Sequence, residues 1–229
     1  MNISRDLGLS MFFHELKSPL NTIMNTAKLI ELDLKHVDEE KIRKYLSLII
    51  SQTVYLKNYI SNAIELGKLQ SGKEDIFKEE FDFVDILREV VDITKILIEE
   101  KPIIIKTFFP HDRLKIVSDP LKVKQIILNI ASNAAKFTKA GYISFVYETL
   151  ENRLSMVIED TGIGISQDDM TRIFNPYCLI EIGHERVFES SGLGLYITRC
   201  LLDLLGGQIK IESEKGKGTK VNILLPIGR

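Results

Sequence analysis

The chain has 229 residues, 45% hydrophobic and 27% charged, with a net charge of −2. That is enough apolar material for one large domain or two small ones, and too little charge imbalance to favour nucleic acid or an anionic membrane. No apolar run is long enough to span a bilayer, no secretory leader is expected, and Cys178 and Cys200 lack metal-ligand spacing. A reducing, cytoplasmic setting is therefore expected.

The first segment reads as a helical hairpin. Leu9, Phe13, Leu16, Leu20, Ile23, Ala27, Ile30 and Leu34 recur at alternating gaps of four and three, and Ile42, Leu46, Ile49, Thr53, Leu56, Ile60, Ala63 and Gly67 repeat the pattern. This is the seam of two helices packed side by side, each about 45 Å long. The break "KHVDEE" places Asp38 as a cap for the second helix. Phe12, Ile50, Tyr55 and Tyr59 widen the apolar stripe, so pairing of two hairpins into a dimeric four-helix bundle is expected.

Within the first helix lies "FFHELKSPL". His14 flanks the seam and is reachable from water. Pro19 supplies no N–H to the carbonyl of Glu15 and crowds it, so the helix is expected to loosen near His14. Glu15 can favour the basic form of the imidazole. On these residues alone, a solvated surface histidine is an equal reading. His36 in the hairpin turn and His111 in a loop read as surface residues.

"LQSGKED" ends the hairpin at Ser71-Gly72, and the pattern changes. A strand is expected over "IFKEEF", then a helix over 83–100 capped by Asp82. Strands follow in "IIIKTFF" and "RLKIVS", and a helix begins at Pro120 behind Asp119. "YISFVYETL" and "RLSMVIED" flank a hairpin turn at Glu151-Asn152. After an irregular stretch come a helix over "LGLYITRCLLDLL" and a closing hairpin of "QIKIES" and "KVNILLP". The order predicts an α+β layer arrangement, a mostly antiparallel or mixed sheet with helices on one face and strands paired locally. The expected boundaries are a hairpin domain over 1–71, a linker over 72–78 and a second domain over 79–229.

Four features of this second part could carry chemistry. Asn129 and Asn133 lie four apart on one helical face, with Lys136 three further on. Amide oxygens suit Mg²⁺ and a lysine suits phosphate, although a pair of loop-capping amides fits equally. "EDTGIGIS" puts Asp160 at a strand end beside Gly162 and Gly164, where a ligand could approach the backbone; a plain tight turn fits as well. Gly192 and Gly194 open a helix whose N–H groups could face phosphate. The long stretch between the two glycine motifs suggests a lid.

In this order the motifs resemble the sensor histidine kinase family over nearly the whole chain. "FFHELKSPL" resembles the phosphoacceptor box, "NIASNAAKFT" the N-box, "EDTGIGI" and "SSGLGLYI" the two glycine boxes, and "IFNPY" the F-box. The resemblance implies a dimerising phosphoacceptor hairpin followed by an α+β sandwich ATP-binding domain of the GHKL (Bergerat) type. It implies phosphorylation of His14 from ATP, help from Glu15, and a hydroxyl at Ser18 for phosphatase activity. It places Mg²⁺ at Asn133 with Asn129 assisting, phosphate at Lys136, and an aromatic wall at Phe137. Asp160 would read the adenine amino group in a pocket shaped by Gly162 and Gly164. Gly192 and Gly194 would form the lid hinge, and Thr219 would follow the last glycine signature.

Departures are Asn175 where an acid is common and Ser190 where glycine often stands. The lid carries Glu181, Glu185 and Glu189, with Arg186 as the candidate γ-phosphate partner or a solvated residue. The implied partners are a second copy of the chain and the receiver domain of a response regulator, with a sensor domain upstream and no nucleic acid. The rival readings are a related ATPase of the topoisomerase, mismatch-repair or chaperone kind, and a dimeric nucleotide-binding scaffold without transfer.

Overall fold

The computed structural model describes residues 3–33, 39–72, 74–178 and 192–228. These form two units, one of Met1–Gln70 with Pro176–Leu193, the other of Ser71–Asn175 with Gly194–Arg229.

In the first unit, α1 (Ile3–Asp33) and α2 (Glu39–Gln70) make the expected hairpin. Pro19 sits inside α1, and the helix continues through it without a break. Asp38 and the turn lie outside the described residues. Glu39 and Glu40 occupy the first turn of α2, where the helix dipole favours acids, and pair with Arg43 and Lys44 one turn on. Gly72 follows with φ of 64°, as a helix stop there requires.

The hairpin's covered line differs from the seam by one residue. Among the described residues of the two helices, the buried positions are Pro19, Thr26, Tyr59 and Leu66, each immediately before a seam position. Alternate seam residues Phe13, Leu20, Leu46 and Ile60 stay exposed, with Met24, Ile50 and Ile64. The four-three spacing marks a broad stripe; only the packing decides which edge of it is covered.

The second unit holds a five-stranded sheet in the order β2 (Ile103–Phe108), β4 (Gly141–Leu150), β5 (Arg153–Asp160), β7 (Gly218–Pro226), β6 (Gln208–Glu214). The hairpins β4–β5 and β6–β7 pair antiparallel as expected, and β5 joins β7 antiparallel. Local pairing fails at β2, which runs parallel to β4. The helix α4 (Pro120–Phe137) lies between them in sequence, and a crossover of that length returns the chain parallel.

A separate two-stranded ribbon pairs β1 (Glu79–Asp82) with β3 (Lys115–Ser118). β1 begins later than the apolar run suggested. Phe77 instead gives its N–H to Asp119 Oδ2 at 3.0 Å. The helix α3 (Phe83–Leu97) stops three residues short of expectation, passing into a turn at 98–100. A four-residue helix, α5 (Gln167–Met170), capped by Ser166, lies in the stretch read as irregular.

One face of the sheet carries the core. Ile143, Phe145 and Tyr147 of β4 and Leu154, Met156 and Ile158 of β5 are buried. So are Phe83, Leu87 and Val90 of α3, Ile126 and Ile130 of α4, and Ile197 and Leu201 of α6 (Gly194–Leu205). These helical positions recur every three or four residues, one stripe per helix.

Beneath the start of α4 sits a buried ion cluster. Lys122 Nζ lies 3.1 Å from Glu74 and 3.2 Å from Asp119, whose other oxygen caps the helix through the Lys122 N–H. Glu74 and Phe77, both in the expected linker, are thus fastened to α4.

Candidate active site

α4 runs from its Asp119 cap to Thr138, whose N–H closes on the Ala134 carbonyl. Lys101 donates to the Ala135 carbonyl at 2.7 Å, and its charge favours that helix end. This places Asn129, Asn133, Lys136 and Phe137 along the second half of a helix fixed at both ends.

Asn129 donates through Nδ2 to the Gly194 carbonyl and to Thr198 Oγ1, both at 3.4 Å, so it ties α4 to the first turn of α6. Its Oδ1 has no partner among the described residues, and neither has the half-buried amide of Asn133. The ammonium of Lys136 stands 5.2 Å from the Phe137 ring centroid.

Asp160 ends β5 and is 9% exposed. Burial pushes its carboxyl up to about 6, against hydrogen bonds from the Gly162 and Thr219 N–H groups, which favour the ionised form. The Gly162 N–H reaches Oδ1 at 2.8 Å. The loop beyond is stitched on both sides. Ile163 N donates to the Phe137 carbonyl at 3.2 Å, and Gly216 N returns a bond to the Ile163 carbonyl at 2.6 Å. Ser213 Oγ accepts from Ile165 N at 2.8 Å and lies 2.9 Å from Thr219 Oγ1.

Two glycines here are required by geometry. At Gly164, φ is 65° and a Cβ would stand 2.0 Å from the Glu214 carbonyl oxygen. At Gly218, φ is 111° and a Cβ would stand 1.9 Å from the Asp160 carbonyl oxygen. Any side chain at either place would push the loop or β7 away from Asp160. Gly162 lies equally close, its Cβ position 2.5 Å from the Phe137 carbonyl oxygen.

The fold therefore brings Asn129 to Gly194, Phe137 to Gly162, and Asp160 to Thr219. Reading the sequence missed Thr198, Ser213 and Lys101, ordinary residues whose roles arise from long-range contacts; Gly218 lies in the "GKGT" signature that ends at Thr219.

In the first unit, His14, Glu15 and Ser18 share α1, and the side chains of His14 and Glu15 lie outside the described residues. Ser18 is half-buried and its carbonyl accepts from Thr22 Oγ1 at 3.2 Å. Gly192 packs against Tyr177 and Cys178, a Cβ there standing 2.8 Å from the Cys178 carbonyl oxygen, so the two ends of the stretch between them meet. Arg186, Glu181, Glu185, Glu189 and Ser190 lie outside the described residues. In the second unit, Arg199 stacks on Phe174 at 5.4 Å, and Asn175 N donates to the Arg172 carbonyl.

Two uncommitted amide oxygens on one helix fit a hard divalent cation. No group of three or more His, Cys, Asp or Glu side chains that could hold a metal occurs among the described residues. A cation at these amides would take its remaining ligands from water and phosphate, as Mg²⁺ commonly does.

Two family profiles match the sequence. "His Kinase A (phospho-acceptor) domain" matches residues 9–72, and "Histidine kinase-, DNA gyrase B-, and HSP90-like ATPase" matches residues 118–229. The autoinducer 2 sensor kinase/phosphatase LuxQ of Vibrio parahaemolyticus is 30% identical over 226 residues, covering 96% of this chain and 26% of that protein. The histidine protein kinase DivJ of Caulobacter vibrioides is 29% identical over 220 residues, covering 96% and 37%. The chain thus spans between a quarter and two fifths of these relatives' length. Among solved structures, the histidine kinase ThkA in complex with the response regulator TrrA has a TM-score of 0.73 at 22% identity, covering 96% of this chain and 61% of that one. The Acinetobacter baumannii histidine kinase AdeS has a TM-score of 0.72 at 19% identity, covering 94% and 98%. At these identities the structures show a shared fold.

Proposed function

This chain belongs to the sensor histidine kinase family, and from that premise we propose that its second unit binds ATP and that His14 takes the γ-phosphoryl group. The observation that carries this reading is the meeting of three segments in the second unit: the amide face of α4, the buried Asp160 with its glycine-lined turn, and the start of α6. Asp160 supplies an acceptor for the adenine amino group. The N-terminus of α6 and Lys136 favour phosphate. Asn133 and Asn129 would hold Mg²⁺, which when bound offsets the negative charge of the phosphates.

Transfer needs the two units to meet. The neutral imidazole of His14 attacks the γ-phosphorus, an N–P bond forms, and the P–O bond to the departing ADP breaks. Glu15 takes the proton from the other ring nitrogen. The phosphoryl group then passes to an aspartate on a response-regulator receiver domain, and Ser18 can position water for the reverse removal. The exposed stripe of Phe13, Leu20, Met24, Leu46, Ile50, Ile60 and Ile64 supports a dimeric bundle of two hairpins.

Incubation with γ-labelled ATP and Mg²⁺ tests the reading. Acid-labile, base-stable label is expected on the wild type and absent from His14→Gln. Hydrolysis without label would favour the ATPase rival, and nucleotide binding with neither label nor hydrolysis would favour the scaffold.

A further inference from the structure

Asn129 is held by its nitrogen. Nδ2 faces the Gly194 carbonyl oxygen and Thr198 Oγ1, each 3.4 Å away. A carbonyl oxygen only accepts, so the group facing it is the NH₂, and the planar amide turns Oδ1 away from α6. Thr198 is fully buried, and among the described residues Asn129 is its side chain's hydrogen-bond partner. A hydroxyl at that depth with a single partner has a directional consequence. It holds one of the two amide hydrogens, while Gly194 holds the NH₂ from the adjoining turn.

We propose that Thr198 is a positioning residue, whose buried hydroxyl fixes the Asn129 amide so that its oxygen is presented to the divalent cation of a bound nucleotide. The inference rests on the reading of α4 as the nucleotide-facing helix. Without the hydroxyl, the amide keeps the Gly194 contact but gains freedom to rotate, and a rotated amide offers N–H to a cation in place of a lone pair. Holding a ligating atom in place through a second residue is a general means of tuning affinity.

The test is calorimetric. Binding of a non-hydrolysable ATP analogue is measured with Mg²⁺ and with EDTA for the wild type, Thr198→Val and Thr198→Ser. Thr198→Val should lose about three- to tenfold of the Mg²⁺-dependent gain in affinity, the worth of one ordinary hydrogen bond. It should bind within about twofold of wild type in EDTA, and Thr198→Ser should restore the gain. In an Asn129→Ala background, Thr198→Val should change nothing further. An unchanged Mg²⁺ gain, an equal loss in EDTA, or a loss that persists beside Asn129→Ala would each overturn the assignment. Thr198→Ala serves the same comparison should the valine variant not fold. A wild type that binds no nucleotide in either condition would overturn the underlying reading, and with it this one.

Discussion

The carboxylate of Asp160 accepts the N–H of Gly162 at 2.8 Å, while Gly218 leaves no room for a side chain against the Asp160 carbonyl. One residue is thus gripped through side chain and backbone by two loops that are far apart in sequence.

The Asp160 carboxyl ionises near 6 in the folded chain, against 3.8 for an unperturbed aspartate. The folded state therefore binds more protons between these values. The burial penalty is absent below pH 3.8, grows across the window, and is complete above about pH 6, on the order of 3 kcal/mol. The melting temperature should rise as pH falls from 7 to 5, and Asp160→Asn should flatten that rise. Nucleotide affinity of the wild type should fall below pH 6 as the acceptor is protonated, and the asparagine variant should bind weakly at every pH.

The glycines separate into two kinds. Gly218→Ala should destabilise the second unit by about 3 kcal/mol or more, because strain at positive φ adds to the steric clash. At Gly194, which opens α6, a Cβ would meet nothing within 4 Å. Gly194→Ala should leave the denaturation midpoint nearly unchanged. Any loss of ATP affinity in that variant then measures how closely the nucleotide approaches the helix start.

Burial alone would lower the pKa of Lys122, yet its bonds to Glu74 and Asp119 raise it; burial acts to raise Asp119, yet the N–H groups of Phe77 and Lys122 and the Lys122 ammonium lower it. The acid's contribution is lost only as pH falls below 3.8 and the lysine's only as it rises above 10.5. Lys122→Met, which leaves two acids without their cation, should cost about 3 kcal/mol in urea denaturation, evenly from pH 5 to 9. A cost confined to one end of that range would show that a different group dominates.

Ile50 is 62% exposed on α2, in line with Leu46 and Ile64. Ile50→Glu should shift the chain from dimer to monomer in sedimentation equilibrium while leaving helicity nearly unchanged. A monomeric wild type, or a dimer indifferent to this charge, would remove the bundle.

The sequence by itself determined the helical hairpin, the α/β alternation that follows, and the short motifs around His14, Asn133 and Asp160. Periodicity, caps and glycine turns are local signals, each readable within a dozen residues. It also implied the family, because five motifs occurred in one order. What only the tertiary structure decided depends on contacts between distant segments. The parallel pairing of β2 with β4 is one case, and the one-residue displacement of the hairpin's buried line to Tyr59 and Thr26 is another. The fastening of Glu74 to Lys122 and the hold of Thr198 on Asn129 join residues 48 and 69 positions apart. A threonine or a lysine carries no mark in sequence of the partner it will meet, because burial and hydrogen-bond geometry exist only once the chain has closed.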